Sequence, residues 1–148
     1  MKRPRLGPKE APLWAEFLSS TGILFTDYEY DFRVIPIADK LTASKGEYQY
    51  DWEQLTCPRI DAIARGAQGK LTLFEVRPNA DADPVLRLIG YRELLKTLGI
   101  FTEPMNLAVV CRQMTPVTRN LCKAYGIEVF QIKSPVSDRS LANQGVLL

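Results

Sequence analysis

Apolar positions along the chain recur first at helical spacing, then at strand spacing, then in two helix–strand alternations. Within APLWAEFLSS, Leu13, Trp14, Phe17 and Leu18 share one helical stripe, and Gly22 stops it. TDYEYDFRVI alternates cleanly: Tyr28, Tyr30, Phe32 and Val34 face one way, and Asp27, Glu29, Asp31 and Arg33 the other. That pattern predicts a half-buried strand. A polar connection follows, with Gly46 as its turn residue. The stretch YQYDWEQL fits either the end of a strand or an excursion.

Residues Arg59 to Arg65 and Lys70 to Arg77 read as two short strands around GAQG, a hairpin signal with glycines at both ends of the loop. DPVLRLIGYRELLKTLG then predicts a helix, with Asp83 as N-cap, Pro84 in the first turn and Gly99 as the left-handed stop. NLAVVC is a continuous apolar run suited to a strand covered on both faces. TPVTRNLCKAYG predicts a second helix between Thr115 and Gly126, and IEVFQIK closes as a strand. The order is helix, three strands, helix, strand, helix, strand. An antiparallel meander leads into crossovers, so the expected fold class is α/β, with an α+β-like mixed central sheet flanked by helices. Three segments follow: a basic flexible arm over 1–11, one domain over 12–133, and a tail over 134–148 whose apolar end (Val146, Leu147, Leu148) breaks its otherwise polar character.

The 148 residues suffice for one core, and 46% hydrophobic content with a formal charge of +2 is ordinary for a globular chain. No apolar run approaches the roughly 20 residues that span a bilayer, so no membrane partner and a cytoplasmic location are expected. Cys57, Cys111 and Cys122 stand far apart without CxxC spacing and read as reduced thiols. The chain contains no histidine, which excludes histidine-based nucleases, Ser-His-Asp hydrolases and Cys-His proteases. Acid–base chemistry would have to use carboxylate, lysine, tyrosine or a metal-bound water.

The chemistry-bearing feature is a pair of carboxylates on neighbouring predicted strands, Asp61 in PRIDAIAR and Glu75 in KLTLFEVRP, with Arg77 two residues on. Glu75 and Arg77 leave the same face of their strand. Together with the element order, the string RIDAIARGAQGKLTLFEVRPNADADPVLRLIGYRELL resembles the PD-(D/E)XK nuclease superfamily, whose core is a helix, three meandering strands, a helix and a further strand. The resemblance spans roughly Pro12 to Lys133, and its specific part runs from Arg59 to Leu95. It implies a restriction-endonuclease-like core. Asp61 and Glu75 stand where metal ligands are expected, and Glu16 on the first helix matches an acid that some members place there. Arg77 stands where the family has its catalytic lysine, Arg87 where relatives often carry a glutamine, and Tyr91 matches a tyrosine one turn later.

The pattern has a chemical logic. Magnesium takes oxygen ligands and keeps several waters, so two carboxylates and a phosphate suffice to hold it, and the ion lowers the pKa of a bound water. Arginine alters this, because it stays protonated and pairs with carboxylates through a planar fork. Two guanidiniums, Arg77 and Arg87, against two carboxylates approximate the charge that a divalent ion supplies.

Two readings of different class follow. In the first, the chain is a catalytically impaired member of the fold serving as a DNA-associated or assembly module, such as a phage-derived virion component, with DNA or other protein subunits as partners. The basic arm (Lys2, Arg3, Arg5, Lys9), Arg87 and Tyr91 are then the contact residues. In the second, it is a Mg2+-dependent DNA endonuclease with Asp61, Glu75 and Arg77 as the catalytic set, Asp61 and Glu75 as ligands and Glu16 as a further candidate ligand. A third reading is an unrelated α/β domain with a coincidental motif. The ordinary roles stand beside these: strand acids that pair with neighbours, Arg77 as a salt-bridge partner, Tyr91 in the core with a bonded hydroxyl, Trp14 and Phe17 as core, and Lys123 and Lys133 as surface charges.

Overall fold

A computed structural model describes residues 5–21, 24–34 and 59–133. Lys2, Arg3, Gly22, Gly46, the YQYDWEQL stretch, Cys57 and the 134–148 tail lie outside the described residues. The elements run α1 (Glu10–Thr21), β1 (Thr26–Arg33), β2 (Arg59–Arg65), a 3-10 turn (Ala67–Gly69), β3 (Leu71–Ala80), α2 (Ala82–Thr97), β4 (Met105–Met114), α3 (Pro116–Tyr125) and β5 (Glu128–Gln131). The five strands form one mixed sheet in sequence order. β1–β2 and β2–β3 pair antiparallel, and β3–β4 and β4–β5 pair parallel.

The sheet carries an apolar layer on each face. On one side, Leu13, Trp14 and Phe17 of α1 pack with Ala62, Ala64, Phe74, Val76, Ala108 and Val110. Rings dominate this layer: Phe17 and Phe74 meet edge to face at 5.6 Å, and Trp14 stacks on Phe17 at 4.9 Å. Each such fully buried ring contributes on the order of 2–3 kcal/mol from area alone. On the other side, Val85, Leu88 and Leu95 of α2 and Cys122 of α3 pack against Leu71, Leu73, Val109 and Cys111. Trp14 and Phe17 are core as expected, and Cys111 and Cys122 are buried free thiols. β4 is buried along Leu107–Cys111, as the unbroken apolar run predicts.

Three details differ from the sequence expectation. The alternation of β1 does not hold one face throughout. Between Thr26↔Arg65 and Glu29↔Ile63, β1 spends one residue more than β2, a bulge at Asp27 with φ 55°. Asp31 is also left-handed, at φ 54°. Tyr28 and Tyr30 therefore pack with the α1 layer, whereas Phe32 and Val34 belong to the α2 layer. The N-cap of α2 is Asp81, whose carboxylate accepts from the Asp83 backbone N–H at 3.1 Å, so Asp83 sits in the first turn. β3 runs through Pro78, three residues beyond the expected end. Its ladder with β2 has stopped at Ala62↔Phe74, so the proline breaks no pairing on that side. The remaining caps are as expected: Gly99 and Gly126 are left-handed stops at φ 68° and 66°, and Thr115 caps α3 ahead of Pro116.

Candidate functional site

The site forms where β2 and β3 part. The last ladder pair is Ala62↔Phe74, and two residues further the backbone of β3 finds a side chain instead of the β2 backbone. The Asp61 carboxylate accepts the Val76 backbone N–H at 2.9 Å, taking the place of a ladder carbonyl. The strands open at this point, and Glu75, which would lie opposite Asp61 if the ladder continued, faces the α2 side with Leu71 and Leu73. Glu75 is 1% exposed.

Arg77 reaches both acids. Its Nη2 lies 3.0 Å from Glu75 Oε2, and its Nη1 lies 3.6 Å from Asp61 Oδ2 while donating to the Val76 carbonyl at 3.0 Å. Arg87, one turn into α2, places its Nε 3.8 Å from Glu75 Oε2. The same Nε donates to the Tyr91 hydroxyl at 3.0 Å, and the guanidinium carbon stands 5.8 Å from the Tyr91 ring centre. Asp83 adds a third acid, 3.9 Å from Arg77 Nη2. Close as these charges are, neither Glu75 oxygen receives an aligned hydrogen bond. The contacts neutralise charge without supplying the directional donors that a buried carboxylate ordinarily has.

Electrostatics follow from that arrangement. Burial, and then repulsion from Asp61, push the Glu75 carboxyl up to about 8, and the two arginines only partly counter this. The Asp61 carboxyl is also raised, by burial first, with the Val76 N–H and both arginines opposing. Burial, and then the nearby Glu75, hold the Tyr91 phenol up at about 12.

Magnesium, implied by the resemblance, would draw on Asp61 and Glu75, whose oxygens are of the right type and, on Glu75, lack donors. Yet one guanidinium contacts both acids that the ion would bridge. Among the described residues, no group of three or more His, Cys, Asp or Glu side chains is placed to hold a metal. As arranged, the residues do not fit the ion.

Of the other candidate residues, Glu16 is not part of this cluster. It lies on α1, across the sheet, with its Oε2 2.5 Å from Arg112 Nη2 on the α1-facing side of β4. A ligand role beside Asp61 would require it to pass through the sheet. Tyr91 is buried, and its hydroxyl accepts from Arg87. Of the arm, Arg5 and Lys9 are exposed, and the Arg5 backbone N–H donates to Asp31 at 2.9 Å, tying the arm to the site end of β1. Asp83 and Asp31, which raises Asp61 further, were not singled out from sequence. Asp83 reads as a cap in the sequence, and the approach of Asp31 to Asp61 depends on a pairing register that a bulge sets.

No protein-family model matches the chain, and no curated protein matches it. Solved structures do. A repair endonuclease from Pyrococcus abyssi superposes with a TM-score of 0.55 at 15% identity over 91% of this chain. EndoMS bound to double-stranded DNA gives 0.54 at 17% identity, and EndoMS in its apo form 0.53 at 18%, each again over 91% of this chain. The chain spans about half the length of these proteins, 49% and 50% of the respective chains for the DNA complex and the Pyrococcus enzyme. At this identity the likeness establishes a nuclease-like fold.

Proposed function

We propose that this chain is a divergent PD-(D/E)XK-fold module that associates with DNA without hydrolysing it, Arg77 standing where an active member would hold a divalent ion. One observation carries the reading: a single guanidinium in contact with both Asp61 and Glu75. Arginine keeps its proton at any physiological pH, so it cannot act as the base that a lysine at this position can become. What it does well is hold carboxylates and phosphates. The cluster sets the guanidiniums of Arg77 and Arg87 against Asp61, Glu75 and Asp83. Both guanidiniums keep part of their surface in water, where a phosphodiester could meet them. The fold shared with proteins described as repair endonucleases, one of them solved on double-stranded DNA, supports the same partner. An assembly role in a virion rests on the family resemblance alone, whereas DNA association also has these part-exposed guanidiniums behind it.

A specific observation favours the endonuclease as a second reading: both Glu75 oxygens lack hydrogen-bond donors, as the ligands of a displaced ion would. One experiment separates the two. Labelled duplex, single-stranded and mismatched DNA are incubated with the protein in Mg2+ or Mn2+ and assayed for both retention and cleavage. Retention of DNA with no cleavage under either ion is the expected result. Cleavage that disappears in Glu75→Ala would establish the enzyme instead.

A further inference from the structure

The end of the sheet that carries Asp61 holds a second charge arrangement. Arg33 and Arg59 are direct partners, the last pair of the β1–β2 ladder. Residues opposite one another on antiparallel strands have Cβ atoms about 5 Å apart, and their side chains leave the same side of the ribbon. Like charges placed so repel, and strand pairs ordinarily avoid them. Both side chains are only half-buried.

Among the described residues, their lack of partners sets them apart. Among the described arginines of the strands and helices, Arg65, Arg77, Arg87, Arg92 and Arg112 each face a carboxylate, and Arg119 donates to Gln131. Arg33 and Arg59 alone hold no ion pair or side-chain hydrogen bond there. Their position adds to this. Arg59 is two residues from Asp61 along β2, roughly 7 Å. Asp31, two residues before Arg33, anchors the backbone of Arg5 and so brings the exposed Arg5 side chain to the same end of the sheet.

We propose that Arg33 and Arg59 form a phosphate seat for the DNA backbone, a second point of contact beside the Arg77–Arg87 cluster. Two opposed guanidiniums complement the non-bridging oxygens of one phosphodiester, and the anion removes the repulsion that the empty pair carries. The identity of the ligand rests on the DNA reading above; the anion seat itself does not.

The test measures binding of a labelled DNA duplex by fluorescence anisotropy from about 50 to about 200 mM KCl. Wild type, Arg33→Gln, the Arg33→Gln/Arg59→Gln double variant and Arg65→Gln, at the far end of β2, are compared. Each phosphate contact contributes about 0.9 to the slope of log affinity against log salt, so the double variant, losing one seat, is expected to lose about 0.9 from that slope while Arg65→Gln loses nothing. Arg33→Gln is also expected to melt at a higher temperature than wild type without DNA, because repulsion is relieved. A misfolded variant would melt lower, so weaker binding through unfolding is recognisable. A wild-type slope and affinity in the double variant would overturn the proposal. If wild type binds no DNA, the DNA reading fails, and inorganic phosphate then decides the seat. A melting temperature raised by phosphate over chloride at equal ionic strength, in wild type and not in the double variant, would uphold an anion seat; equal responses would overturn it.

Discussion

Glu75 is the residue on which the site's behaviour depends most. For an acid whose carboxyl is held above its ordinary 4.5, the folded state keeps a proton that the unfolded chain releases. The contribution is therefore fully present below about 4.5 and is lost as pH rises towards about 8. Stability should fall across that window with a slope of up to about 1.4 kcal/mol per pH unit from this group. Asp61 is raised too and acts in the same direction. Glu75→Gln is expected to flatten the dependence, leaving only what Asp61 adds, as urea titrations at pH 5, 6, 7 and 8 would show; an unchanged slope would mean that Glu75 is ionised in the fold. Arg77→Ala removes the cation nearest both acids and is expected to cost about 1–3 kcal/mol, less than a fully buried pair because Arg77 keeps part of its surface in water. Chemical denaturation at neutral pH checks it. The cluster itself was largely legible in the sequence: strand periodicity placed Glu75 and Arg77 on one face, and Asp61 on the neighbouring strand followed from the hairpin. The fate of Glu16 was not, because which face of a sheet a helix covers depends on crossover packing, and no local pattern records that α1 sits opposite α2.

At the level of elements, turn and cap chemistry was the most readable part. Pro116 after Thr115 and the left-handed glycines at 99 and 126 mark where helices begin and end by sterics alone. Asp81 against Asp83 shows the limit, since two aspartates in DADP each satisfy the composition of a cap and only backbone geometry chooses between them. Asp81→Ala is expected to destabilise by about 1 kcal/mol and Asp83→Ala by less, measured by thermal unfolding. In β1 the alternation Tyr28, Tyr30, Phe32, Val34 suggested one face, but a bulge and two left-handed aspartates redistribute it. Aspartate tolerates that conformation at low cost, so nothing in the pattern betrays it. Gly90 gives a complementary prediction. It lies within α2, and a Cβ built there meets nothing within 4 Å. Gly90→Ala is expected to raise stability by up to about 1 kcal/mol through helix propensity; a loss would show that the open space is needed.

Across the described residues, two apolar layers hold a mixed sheet together, and the point where β2 and β3 separate draws the fully buried Glu75 and two guanidiniums together. The element order, the mixed sheet and the three helices were readable because each element has an independent signal, whereas the function turns on one residue type at one position. A lysine at 77 would point to a metal site; the arginine found there contacts both carboxylates. The most direct test of that substitution is isothermal calorimetry with Mg2+ and Mn2+ on wild type and Glu75→Ala. Two traces without specific heat are the result that follows from a guanidinium holding the ion's place. Micromolar binding in wild type that vanishes in Glu75→Ala would contradict it and identify Asp61 and Glu75 as ligands of a working metal site.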